Sequence, residues 1–307
     1  MFIRTFAFFC LVTLLSSNLW AQVAVPSIDP VEPVLVPAAS SWRMGTSVGG
    51  GGNYGSQTDK DQKVIEHQFD NYGILVFQPT HVTTELYATF DDNQAQWDST
   101  SDLFYPYKHQ EQRLNLAVRG EGRVSVGLGA VRRSWDNRGL LRQHKGFGGS
   151  FGVRIGDGMY LAAGMNRITE EVAEHEDKQW NEFLAGIGFA YGDPDSSMFR
   201  FEASMARVPE VIKGTVLADI NQAQTEQVTD LEILLYRILF SAKNKVTKTL
   251  ATLPDQADQE LTQVRYGFGY RRLGFSWIFY QTRGVEGQGD NKHEQLYYKT
   301  TVGFGFL

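Results

Sequence analysis

The sequence predicts an all-β chain, a closed antiparallel up-and-down barrel of about twelve membrane-crossing strands with one helical loop insertion. Three observations carry this. Apolar and polar residues alternate with period two from Ser41 to the C-terminus. Short and long connections between the alternating runs take turns without exception. No later stretch reaches the roughly 18 unbroken apolar residues of a membrane-crossing helix. The composition is consistent with this. The 29 basic residues against 35 acidic ones exclude the basic excess of a nucleic-acid binder. A 42% hydrophobic content excludes wholesale disorder. A single cysteine, Cys10, excludes a disulfide framework and a multi-cysteine metal site.

Residues 1–21, MFIRTFAFFCLVTLLSSNLWA, read as a signal peptide. Arg4 gives a positive start, Phe6 to Leu15 form an apolar run too short to span a bilayer, and Ala21 is the best cleavage point. Residues 22–40 hold four of the nine prolines, Pro26, Pro30, Pro33 and Pro37. That spacing predicts an extended periplasmic linker rather than a packed element. Threading a pore or reaching another protein are the alternatives to a simple spacer.

The barrel is predicted over 41–307. Trp42, Met44, Thr46 and Val48 form a weak first strand, and Tyr72 to Pro79 is apolar on both faces. Val82, Thr84, Leu86, Ala88 and Phe90 form a clear third strand. Leu114, Leu116 and Val118 alternate with Arg113, Asn115, Ala117 and Arg119. Val124, Val126 and Leu128 alternate with Arg123, Ser125 and Gly127. The same pattern recurs through Phe147–Ile155, Met159–Met165, Phe183–Tyr191, Phe199–Met205, Val264–Tyr270, Leu273–Phe279 and Leu296–Phe306. Period two with one apolar face marks strands covered on one side only. Short turns fall near Thr80-His81, Gly120-Glu121, Gly156–Gly158, Gly192–Ser197 and Arg272. The long connections are 49–71, 91–110, 132–146, 168–179, 208–262 and 284–293. Every long connection thus lies at one end, which a soluble sandwich has no reason to arrange and a membrane barrel does.

With its signal segment, its alternation and its final strand Leu296-Tyr-Tyr-Lys-Thr-Thr-Val-Gly-Phe-Gly-Phe306, the chain resembles a porin-like Gram-negative outer-membrane β-barrel protein. The resemblance covers 41–307 and implies residence in the outer membrane, with lipid and lipopolysaccharide as surroundings. It also implies recognition of strand 296–306 by the barrel assembly machinery, although Leu307 displaces the usual terminal aromatic by one place.

If the apolar positions face lipid, the others face the lumen. The pore-lining candidates are Arg43, Arg113, Arg119, Arg123, Arg154, Arg200, Arg265, Arg271 and Lys299, with Glu85, Glu182 and Glu202. Nine basic against three acidic side chains predict a preference for anions in an open pore. Pairing of these charges across a closed barrel is the alternative. The recurring G-x-G pairs, such as Gly127/Gly129 and Gly148/Gly152, predict room for neighbouring aromatics or a bend in the wall.

Within 208–262, Thr229-Asp-Leu-Glu232 fits a capping box. Leu231, Leu235, Ile238, Leu239, Ala242 and Val246 fit helical spacing, so a helix is predicted over 226–251. An extra hairpin at Val211–Ala218 is the minority reading and would give fourteen strands. No catalytic motif emerges. His144 with Ser150, or His109 with Ser101, lacks a recognisable pattern, and Glu174-His175-Glu176-Asp177 lacks metal-site geometry. The expectation is a non-enzyme without cofactor or metal. It is a passive channel for small polar or anionic solutes, or else a closed barrel that works through its external loops.

Overall fold

A computed structural model of the chain describes residues 24–25, 27–30, 32–43, 45–58, 64–98, 103–120, 123–137, 140–172, 177–193, 196–208, 224–249, 259–272, 274–286 and 293–306. Residues 1–21, expected to be a signal peptide, lie outside them, as do Val211–Ala218 and Glu174, His175 and Glu176. The strands are β1 (Thr46–Thr58), β2 (Val64–Phe77), β3 (Val82–Asp98), β4 (Leu103–Arg119), β5 (Val124–Asn137), β6 (Leu140–Ile155) and β7 (Met159–Val172). They continue as β8 (Lys178–Asp193), β9 (Ser197–Val208), β10 (Gln224–Leu235), β11 (Ile238–Thr249), β12 (Gln259–Arg272), β13 (Phe275–Glu286) and β14 (His293–Phe306). Each pairs with its sequence neighbours, and β1 closes on β14 from Thr46↔Phe306 to Thr58↔Glu294. Closure pairs every edge, as a sheet in lipid requires. Both ends of the barrel chain therefore sit at the end of the short turns.

Alternation fixes which face is which. On β5, Val124, Val126 and Leu128 are exposed while Ser125, Gly127 and Gly129 are buried. The outward set continues through Phe147, Phe151, Met165, Ile187, Phe201, Phe240, Phe268, Phe279 and Phe304. So wide an apolar belt is untenable in water and suits a bilayer.

The barrel has fourteen strands rather than about twelve, and the extra pair is β10–β11, where a helix was expected over 226–251. The difference has a physical cause. Leu231 and Leu235, like Ile238, Ala242 and Val246, lie four apart, and a spacing of four satisfies both the helical and the strand period. The turn Tyr236-Arg237 also lacks the Asn-Gly chemistry that would have announced a hairpin. Strands also run further than expected, since β3 and β4 each hold 17 residues and take up most of the connection predicted at 91–110.

The predicted linker is corrected as well. The described residues of 24–43 pack inside the barrel, with Ala24, Val25, Ile28, Val34, Val36, Ala38, Ala39 and Trp42 all buried. They form one hydrophobic cluster with wall residues Ala162, Leu184, Ala190, Met198, Leu234, Leu239, Ile278 and Tyr280. Among the described residues the only helix is one turn of this segment, Pro37–Ser40. Trp42 belongs to the plug, and the first strand begins at Thr46. Trp42, Tyr72 and Trp180 point inward and are buried, away from the lipid-facing belt.

Candidate functional site: the plugged lumen

The plug visits most of the wall in turn. The amides of Ala24 and Val25 donate to Glu202 Oε2 on β9, at 3.1 and 2.9 Å. The Ile28 amide donates to Glu232 Oε2 on β10 at 2.7 Å, and the Ser27 hydroxyl donates to the same carboxylate. Tyr280 on β13 and Thr301 on β14 donate to Asp29 Oδ2 at 2.9 and 3.0 Å. Arg265 on β12 and Lys243 on β11 meet Glu32 at 2.6 and 3.4 Å. The Val34 amide reaches Glu85 on β3 at 3.0 Å. The helical turn then lies on β5 and β6, where Ser125 donates to the Ala38 carbonyl and Ser150 accepts from its amide. Finally Trp42 meets Tyr160 on β7, with ring centroids 5.2 Å apart.

Charged wall groups bind mostly the plug's main chain. Arg200 donates to the Val25 carbonyl from Nε and Nη2, Asn115 and Arg113 donate to that of Val34, and Arg271 to that of Ile28. Buried main-chain polar groups must be satisfied, and charged partners make the stronger bonds. The prolines reduce the demand, because each removes one amide hydrogen.

The wall charges also pair with one another. Arg200 is fully buried and lies 3.0 Å from Glu202, 2.8 Å from Asp230 and 3.5 Å from Glu232. Toward the long-connection end, Arg133 bridges Glu111 and Glu182 at 3.3 and 3.4 Å, and Lys245 meets Glu226 at 3.4 Å. In the plug, burial alone would raise the Glu32 carboxyl, but Arg265, Lys243 and Lys299 outweigh it and hold that group well below the usual carboxylate range.

The twelve residues expected to line a pore occupy different settings. Arg43 is the plug's last anchor, 2.8 Å from Glu85 and bonded to the carbonyls of Pro30 and Glu32. Glu85, Arg113, Arg200, Glu202, Arg265 and Arg271 all hold the plug. Glu182 pairs with Arg133, and the Lys299 ammonium sits 4.7 Å from the ring centre of Tyr72. Arg119 and Arg154 are half-buried and Arg123 is exposed, all beside the short turns, where Arg154 donates to the Asp157 carbonyl at 2.8 Å. Sequence reasoning missed Glu111, Arg133, Glu226, Asp230, Glu232, Lys243 and Lys245. The last five fell in the supposed helix, where alternation of Lys243, Lys245, Thr247 and Thr249 was the available signal.

The glycines explain how the plug fits. A Cβ at Gly127 would lie 2.5 Å from the Ala38 nitrogen, one at Gly152 2.3 Å from the Trp42 ring, and one at Gly188 2.1 Å from a Val25 methyl. At these three positions the space is for the plug, whereas a Cβ at Gly267 would lie 2.5 Å from the Tyr280 ring, so there the glycine makes room for a neighbouring aromatic of the wall. Gly127→Ala and Gly188→Ala should therefore dislodge the plug and leave the barrel. Planar-bilayer recordings should show more frequent opening, with the heat-modifiable gel shift retained.

The His144 and Ser150 side chains are not brought together. His144 bonds Glu170 at 2.6 Å, whereas Ser150, six residues along β6 and so about 20 Å away, contacts the plug. Ser101 lies outside the described residues, as does His175. Among the described residues no group of three or more His, Cys, Asp or Glu side chains is placed to hold a metal.

No protein-family model matches the sequence, and no curated protein matches it either. Solved structures do resemble the fold. The CymD monoaromatic hydrocarbon channel is 12% identical, with a TM-score of 0.58 over 89% of this chain and 91% of that one. A Pseudomonas aeruginosa FadL homologue is 9% identical, with a TM-score of 0.57 over 89% and 93%. The P. putida toluene transporter TodX is 10% identical, with a TM-score of 0.53 over 89% and 93%. With its apolar belt and closed fourteen-strand wall, the chain has the fold of a Gram-negative outer-membrane β-barrel, and the outer membrane is where such a surface belongs.

Proposed function

We propose that the protein is an outer-membrane channel for small polar solutes, closed at rest by residues 24–43 and opened when that segment leaves the wall. The observation that carries this reading is the path of the plug, which contacts the wall from β3 around to β14 and fills the lumen's short-turn half. The hydrocarbon channels among the structural neighbours suggest a different cargo, but the wall argues against it. An apolar solute following the axis would pass Arg200, Glu202, Asp230, Glu232 and Lys243, all of them charged and buried.

The open lumen favours anions. When the plug leaves, the Asp29 and Glu32 carboxylates go with it, and Arg265, Lys243 and Arg271 lose their plug partners. Arg43 also leaves, but the change is still toward positive potential, and low-dielectric walls focus it.

The reading also fixes orientation, with short turns in the periplasm and long connections outside. An epitope inserted between Asp98 and Leu103 should bind antibody on intact cells, whereas one at Asp157 should not. The opposite pattern would invert the barrel.

A further inference from the structure

One short turn is chemically out of place. Tyr236 and Arg237 join β10 to β11 with φ of 48° and 75°, the left-handed region that Asn and Gly occupy at low cost. Tyr236 is nonetheless 88% exposed, and Arg237 is exposed as well, so packing does not account for either residue. The Arg237 amide donates to the Ser196 carbonyl at 3.3 Å, and the Arg271 amide to the Arg237 carbonyl at 2.8 Å. The turn is thus tied to both neighbouring hairpins. Arg272, exposed on the outer face of β12, stands opposite Phe275 of β13 in the register.

Directly beneath this edge the outer surface is aromatic. Phe275 and Phe304 pack with centroids 5.7 Å apart, and Tyr270 pairs with Trp277 across the ladder. Two exposed guanidinium groups and a phenol therefore crown an apolar apron at one rim of the barrel. The nearest described carboxylate on the neighbouring turn, Asp193, is bonded by Ser196. Guanidinium matches phosphate geometry, and Tyr suits the boundary between headgroup and acyl chain.

We propose that Tyr236, Arg237 and Arg272 form a seat for the headgroup phosphate of an anionic phospholipid in the periplasmic leaflet, its acyl chains lying on the apron of Tyr270, Phe275 and Phe304. The assignment of the leaflet rests on the orientation given above. The seat lies on the outside of the wall, so it holds the barrel in its leaflet without entering the solute path.

Native mass spectrometry of the barrel released from nanodiscs of phosphatidylcholine doped with phosphatidylglycerol tests this. The wild type should retain phosphatidylglycerol in preference. R237Q/R272Q should lose that preference by about fivefold for each arginine. Y236N/R237G installs the favoured turn residues, so it should fold at least as stably by gel shift and still lose the preference. Equal retention of both lipids by the wild type, or an unchanged preference in R237Q/R272Q, would overturn the proposal. So would binding of soluble peptidoglycan fragments by the wild type without any lipid preference, which would assign the rim to the cell wall. Epitope labelling that inverts the barrel would remove the leaflet assignment separately, since lipid preference would then be read on the other face.

Discussion

A chain lacking residues 24–43 is expected to insert as a stable barrel and to conduct freely. The ladder is complete without the segment, because β1 begins at Thr46 and closes directly on β14. Several hydrogen bonds to charged wall groups, each worth about 1.5–3 kcal/mol, favour the closed state. The conformational entropy regained by the freed segment offsets most of this, and an intact barrel open about 1% of the time passes solute roughly a hundredfold more slowly than the deleted one. Liposome swelling with small polar solutes measures the rate, and reversal potentials in a salt gradient measure the sign. Chloride should be preferred over potassium, and replacing Arg265 and Arg271 with Gln in the deleted chain should weaken that preference. If the deleted chain folds and passes nothing, wall side chains alone close the lumen, and function moves to the external connections.

Arg200→Met should be among the most damaging single changes. The guanidinium is the hub for Glu202, Asp230, Glu232 and the Val25 carbonyl, and its side chain is 0% exposed. Its removal leaves three buried carboxylates with Lys243, 3.5 Å from Asp230, as the nearest remaining cation of the cluster. Breaking a buried ionic cluster by deleting one partner costs about 3–5 kcal/mol. The temperature at which the heat-modifiable band converts should drop, and the plug should loosen. Replacing Glu202, Asp230 and Glu232 with their amides in the same chain should recover most of the barrel's stability. The plug should stay loose, because the Val25 carbonyl has lost Arg200 and the amide oxygens at 202 and 232 accept from its main chain without the help of a charge. An Arg200→Met protein as stable as wild type would mean the cluster is solvated.

The wall was legible because its faces differ in one direction only. Leu114, Leu116 and Val118 outward against Arg113, Asn115 and Ala117 inward is a pattern that no helix satisfies, and the structure keeps that register. At β10–β11 the pattern was ambiguous, since apolar residues four apart serve either period. The plug was opaque for another reason. A proline-rich segment avoids helix and sheet whether it crosses solvent or a lumen, and composition does not say which. Its burial depends on acceptors such as Glu85, Glu202 and Glu232, which lie far along the sequence. The excess of inward arginines was visible, but the carboxylates that offset it, Asp230 and Glu232, were hidden in the segment read as a helix.

Limited proteolysis of the folded barrel, followed by mass determination of the N-terminus, tests the central claim most directly. A plug held as described leaves Glu32 and Arg43 buried inside the wall, out of reach of any protease. Proteinase K should therefore leave the chain intact from Ala24 onward while the gel-shifted fold persists, and heating should make 24–43 cleavable. Rapid loss of residues 24–43 from the folded barrel would return the segment to a periplasmic tether and contradict a lumen closed by its own N-terminus.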